Sequence, residues 1–173
     1  MRKTTKMYLA LDVHYKDNYA KSVGVTFLTK DDETPQETLI STLEDIAPYQ
    51  PGEFYKRELP CLLEVISKVN RNDLQAILVD GHVYVDNDGQ FGLGGYLYEA
   101  LHNQVPIIGV AKRAFHANKN TIIEVLRGTS NNPLHISAIG IDVAEAAQFI
   151  KEMHGNHRHP TLLKILDGIT KTA

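Results

Sequence analysis

Two aspartates, Asp12 and Asp80, each close a short apolar run: residues 7–13 read MYLALDV and residues 76–81 read AILVDG. An acid at such a point stands where the chain emerges from a sheet. If the two runs are neighbouring parallel strands, both carboxylates reach one sheet edge. Charges that close repel, so one must take up a proton or a cation must sit between them. Hard divalent ions such as Mg²⁺ prefer carboxylate oxygens. A metal held this way can polarise a phosphate and activate water for phosphodiester hydrolysis. The plainer alternative is that each aspartate merely begins the turn after its strand.

Other residues acquire meaning only beside that pair. Glu58 lies where a Pro- and Gly-containing stretch, residues 47–57, gives way to helical spacing. It is either a third ligand or an acid favoured electrostatically in a first helical turn. Lys112 follows the apolar run PIIGV at 106–110 and could hold phosphate charge in a transition state, or be a solvated loop lysine. Tyr49, between Pro48 and Gln50-Pro51, could wedge between stacked bases or pin its own loop onto the core. His154, His157 and His159 lack the spacing and cysteine partners of a zinc site, which suits a surface or phosphate-contact role. The segment 86–89, DNDG, fails as a calcium loop because Tyr84 stands at its first ligand position. Gly92, Gly94 and Gly95 match neither a phosphate-binding loop nor a dinucleotide fingerprint and read as tight helix packing. No Gly-x-Ser-x-Gly elbow is present.

The elements that must position these groups follow from periodicity. Residues 7–13, 19–28 and 38–43 read as three strands of an antiparallel meander. From Leu59 the spacing turns helical, with Leu59, Leu62, Leu63, Ile66 and Val69 on one face and Pro60 in the first turn. Residues 76–79 and 106–110 read as buried parallel strands, with a helix near 93–102 between them. Thr121 and Glu124 suggest a capping box opening a short helix that Gly128 ends. A last strand spans 134–139. Asp142 then caps a helix with Val143, Ala146, Ala147, Ile150 and Met153 on its inner face, and a final helix follows Pro160. The order predicts an α/β chain with a mixed sheet and helices on both faces.

Length and composition allow this and add little. The 173 residues suit one domain, and 43% hydrophobic and 23% charged residues are ordinary for a globular chain. A net charge of −3 does not announce a nucleic-acid binder, although bound cations would offset acidic ligands. Cys61 is the only cysteine, so no internal disulfide forms and a buried thiol is expected. With no signal peptide and no apolar stretch long enough for a membrane span, a cytoplasmic protein is expected.

Taken together, the motifs resemble those of the endonuclease V family. Residues 11–15, LDVHY, resemble its "VDVAY". Residues 48–52, PYQPG, followed by 55–60, YKRELP, are similar to "PYIPG…FRELP". Residues 78–82, LVDGH, look like "LVDGHG"; 91–94, FGLG, resemble the "GLAS" region; and 108–112, IGVAK, match "IGVAK". The resemblance runs from about Met7 to Asp167 in family order.

It implies a ribonuclease-H-like fold and Mg²⁺-dependent cleavage, with Mn²⁺ able to substitute, near inosine in DNA or RNA. The cut falls at the second phosphate on the 3′ side of the lesion. Mapped by motif, Asp12, Glu58 and Asp80 would be the metal carboxylates and Lys112 the phosphate-side catalytic residue. Tyr49, with Pro51, would separate the strands. The backbone around Gly52, Gly81, His82 and Val83 would line a pocket for a flipped base. The substrate would be single-stranded or lesion-containing, and the protein a monomer. Three positions depart from the family pattern: Asp86 stands where a second histidine is frequent, Gln50 replaces the third residue of "PYIP", and Val83 replaces a glycine. The alternative is a catalytically silent nucleic-acid-binding relative of the same fold.

Overall fold

A computed structural model describes residues 6–44 and 54–172. Among these residues seven strands form one mixed sheet: β1 (Met7–Tyr15), β2 (Ala20–Phe27), β3 (Glu37–Leu43), β4 (Leu74–Asp80), β5 (Ile107–Ala111), β6 (Ile123–Val125) and β7 (Leu134–Ile139). Their spatial order is β3-β2-β1-β4-β5-β7-β6. The first three strands make the antiparallel meander that their alternation predicts. β4 joins β1 in parallel, β5 joins β4 in parallel, and β7 and β6 close the far edge antiparallel.

Among the described residues four α-helices cover the sheet: α1 (Phe54–Ile66), α2 (Leu93–Ala100), α3 (Val143–Glu152) and α4 (Thr161–Lys171). Leu62, Val65 and Ile66 of α1 and Leu93 and Leu97 of α2 pack with Leu9, Leu11, Ile77 and Ile107 on one face. Ala146 and Ile150 of α3 and Leu162 and Leu166 of α4 pack with Ala10, Val25, Leu78 and Ile136 on the other. Successive strand residues point to opposite faces, so a central strand segment with both faces covered must be apolar, as β4 is from Ala76 to Val79. Cys61 is fully buried, as expected. No helix among the described residues is long and apolar enough to cross a membrane.

Two local expectations fail. The first helix begins at Phe54, so Pro60 sits inside it rather than in its first turn. The segment expected to be a short helix from Thr121 instead forms a 3-10 turn at His116–Thr121 and then strand β6. Ile123 and Val125 are β-branched, and the open edge of β7 offers them ladder hydrogen bonds. Tertiary pairing outweighs the local cap signal.

Candidate active site

The parallel register pairs Leu11 with Val79, which sets Asp12 and Asp80 side by side one residue further on. Asp12 does not end its strand, however. β1 continues to Tyr15 against β2, with Asp12 opposite Val23, while β4 stops at Asp80. The turn there is Gly81, whose φ of +147° is one that side-chain-bearing residues rarely adopt. The chain peels away and leaves the Asp12 carboxylate facing an opening rather than another strand.

Glu58, on α1, approaches this edge from one face of the sheet. It is 7% exposed, and its Oε2 atom is buried without a hydrogen-bond partner. Burial, with the charges of Asp80 and Asp12, pushes its carboxyl from 4.5 up to about 8. Burial followed by Asp80 raises Asp12 to about 6, against a hydrogen bond from the Val13 N–H at 2.9 Å. Asp80 is open to solvent at the mouth of the opening, yet the surrounding protein still raises its carboxyl, while Lys112 opposes that rise. Three carboxylates thus sit in one field, each held above its usual range. They fit a hard divalent cation by donor type, by mutual repulsion and by the unpaired oxygen of Glu58. Among the described residues they are not drawn together into a closed cluster around a cation position.

From the opposite face α4 brings a fourth acid, Asp167, which had no part in the motif reading. Its charge raises both Asp12 and Asp80, and its Oδ2 accepts from Lys171 Nζ at 2.9 Å. Asp12, Asp80, Lys112, His159, Lys164 and Asp167 ring a cavity of about 290 Å³ whose floor is Leu78, Val110, Leu134, Leu163 and Leu166. His159 alone of the three late histidines lines it, and burial lowers its pKa. His154 is occupied on the surface by Glu33 and Thr161. Asp167 could have been noticed only as the single acid on an otherwise apolar and basic final helix.

The other motif residues separate into two groups. Lys112 lies at the cavity beside Asp12 and Asp80, as expected. His82 is buried and fully engaged: Nε2 donates to Arg113 O at 2.7 Å and Nδ1 lies 3.1 Å from Asn118 Nδ2. Val83 corrects an expectation. Its side chain is wholly buried, its N–H donates to Ser137 Oγ at 2.9 Å, and its carbonyl accepts from Gly92 and Gly95. No backbone group of Val83 remains to meet a base, and its bulk fills core space against Gly94. Asp86, at the position where a second histidine is frequent in the family, lies apart from the cavity. Its Oδ1 accepts from the N–H groups of Asp88 and Gln90 within its own hairpin. The close approach of Phe91 and Val83 O to Gly95 bears out the packing role of the glycines. Tyr49, Pro51 and Gly52 lie outside the described residues.

A mixed sheet with a meander, parallel central strands and acids gathered at the end of β4 defines a ribonuclease-H-like protein with a carboxylate-lined edge. The chain belongs to the endonuclease V family, whose model matches residues 1–167. The solved structure of human ENDOV is similar at 20% identity, with a TM-score of 0.75 over 96% of this chain and 83% of that one. Ciona intestinalis endonuclease V, in complex with DNA containing an inosine, is similar at 18% identity and a TM-score of 0.75, over 96% and 84%. Endonuclease V from Streptomyces avermitilis is similar at 20% identity and 0.72, over 97% and 81%. No curated protein matches significantly.

Proposed function

We propose that this chain is a divalent-cation-dependent endonuclease that hydrolyses a phosphodiester bond near inosine or another altered base in DNA or RNA. The observation that carries the reading is the buried, unpartnered Oε2 of Glu58 beside Asp12 and Asp80. An orphaned carboxylate oxygen in a field of like charges is costly unless a cation or proton completes it. Asp12, Glu58 and Asp80 would hold Mg²⁺, with Mn²⁺ able to substitute, and Asp167 lies on the same edge. When bound, the ion would supply polarisation of the phosphate and activation of a water.

The chain's own groups do the rest. Lys112 meets the phosphate charge from the β5 side, and the leucine and valine floor of the cavity excludes water beneath the reacting phosphate, strengthening that attraction. Tyr49 and Pro51 would open the stack, and the backbone at Gly52 and Gly81 would receive the displaced base. Membership of the endonuclease V family supports a nucleic-acid substrate, and the inosine-containing DNA bound by the Ciona protein supports the choice of lesion. The protein would act as a cytoplasmic monomer.

Labelled oligonucleotides with and without inosine, incubated with Mg²⁺, Mn²⁺ or EDTA, test this. Nicking that needs metal and inosine, and that Asp80→Ala abolishes, is expected. Binding without nicking, unaffected by Asp12→Ala, would instead identify a silent relative.

A further inference from the structure

The backbone carbonyls of Lys112 and of the next residue, Arg113, are both held by side chains from other parts of the fold. His82 reaches Arg113 O from the β4 turn. Arg158, on the loop joining α3 to α4, donates through Nη2 to Lys112 O at 2.8 Å and to Pro133 O at 3.0 Å. That loop is itself held from below. Arg127 is 4% exposed and donates to the carbonyls of Met153, Gly155, His157 and Arg158. No carboxylate among the described residues pairs with Arg127, so its guanidinium charge is spread over backbone oxygens alone. A buried arginine is expensive to maintain, and this one spends its donors on one short loop. The loop then delivers Arg158 to the end of β5 and His159 to the cavity rim.

We infer that Arg158, seated by Arg127, is a positioning residue for Lys112, fixing where the lysine ammonium meets the phosphate. The inference rests on the nuclease reading above. Lysine is a flexible point charge on a four-carbon stem, and a wandering base would spread its ammonium over several ångströms. Small displacements of a charge-stabilising group lower turnover while leaving ground-state binding almost intact.

The test is a double-mutant cycle of Lys112→Met and Arg158→Met on single-turnover nicking, with melting temperature followed in parallel. K112M is expected to lower kcat about 100-fold, and R158M about 10-fold with KM within about twofold. The double variant should match K112M within about twofold, because a positioning residue has nothing left to position. R158K, which can still donate to one carbonyl, should recover most of the R158M loss, and R158Q, whose shorter amide cannot span Lys112 O and Pro133 O, carries the cycle if R158M does not fold. Multiplicative losses, about 1000-fold in the double variant, would overturn the inference. So would a salt dependence of oligonucleotide binding that falls by about one unit in R158M alone, since that marks a direct phosphate contact. If wild-type protein binds but never nicks, the hydrolytic reading fails by itself. The lysine side-chain NMR spectrum then decides this inference: a Lys112 Nζ resonance shifted or broadened in R158M sustains it, and one unchanged from wild type overturns it.

Discussion

Asp12 and Asp80 stand abreast on parallel neighbouring strands, each one residue past the Leu11–Val79 pair. Burial, and then the Asp80 charge, lifts Asp12 to about 6. The pair costs folding free energy whenever both are ionised and nothing offsets them. Replacing Asp80 with Asn removes one charge and keeps the shape. Without added metal, Asp80→Asn should therefore raise the melting temperature at pH 8 while lowering nicking by at least about 1000-fold, a loss of the kind seen when an essential catalytic group is removed. Calorimetry and a nicking assay on one preparation check both signs. A destabilised variant, or one that still cuts, contradicts the assignment.

Glu58 makes the same argument through pH. Its folded pKa, about 8, lies above the ordinary 4.5, so the native state binds the proton more tightly than the unfolded chain does. Its contribution is fully present below about pH 4.5 and is lost as pH rises through about 8. Asp12 adds a smaller effect of the same sign between its ordinary 3.8 and about 6. The metal-free protein should lose roughly 5 °C of melting temperature from pH 5 to pH 8, and Glu58→Gln should remove most of that slope. Saturating Mg²⁺ should do likewise, since metal binding displaces the proton. A slope unchanged in Glu58→Gln would show that the burden lies elsewhere.

His82 holds the Lys112 strand end from the other side. Asn118 Oδ1 accepts from Phe115 N–H, and Asn118 Nδ2 donates to Tyr84 O as well as facing His82 Nδ1. The amide is thereby fixed in orientation, and His82 must present Nδ1 as acceptor and Nε2 as donor. His82→Ala empties a buried, doubly bonded position and should cost about 1–3 kcal/mol. Asn118→Asp should cost a comparable amount, because a carboxylate cannot donate to either partner. Chemical denaturation reads both, and losses below 0.5 kcal/mol, about the level of an ordinary surface substitution, would mean that the latch is not built as described.

Much of this frame is legible in the sequence, for definable reasons. The period-two alternation of the first three strands and the apolar runs ending at Val79 and Val110 reflect burial on one face or two, and burial is what residue type reports. Lys112 and the Asp12–Asp80 pair are legible because both follow from where apolar runs stop. Glu58 is a candidate from its place at the loop-to-helix junction and from the motif around it, but nothing local to α1 announces that its carboxylate will be buried without a partner. Asp167 is marked in the sequence only as the one acid of its helix. It belongs to a helix whose pattern gives its inner face but not which strand it will cross, and only the packing of α4 across the sheet brings the acid to the edge. Val83 and β6 failed for a related reason: both are decided by a neighbour, Gly94 in one case and β7 in the other, that local sequence does not name.

Tyr49 stands on a segment with two prolines close by, Pro48 and Pro51, which restrict the backbone and reduce the entropy lost on inserting a ring. If that ring separates stacked bases, Tyr49→Ala should raise the dissociation constant for inosine-containing duplex by roughly 10-fold, in line with the stacking worth of one aromatic. Mn²⁺ affinity, read by calorimetry, should stay within about twofold. An equal loss on inosine and control strands would make the tyrosine a general contact rather than a wedge.

The choice between Asp86 and Asp167 as the remaining acid of the site is open to direct measurement. Asp86 lies in a hairpin, satisfied by two N–H groups of its own turn; Asp167 shares the cavity with Asp12 and Asp80 and perturbs both. Asp86→Ala should therefore cut inosine substrates within about threefold of wild type, its only penalty being about 1 kcal/mol of stability from the lost turn hydrogen bonds. Asp167→Asn keeps the size of the side chain and removes the charge. It should lower the Asp12 pKa, weaken divalent-ion affinity and reduce nicking about 100-fold or more, the scale on which a group at the reacting centre acts. Mn²⁺ titration and the nicking rate of the two variants rank the acids directly. A reversed order, with Asp86→Ala the more damaging, would require a site displaced toward the 84–91 hairpin and away from α4.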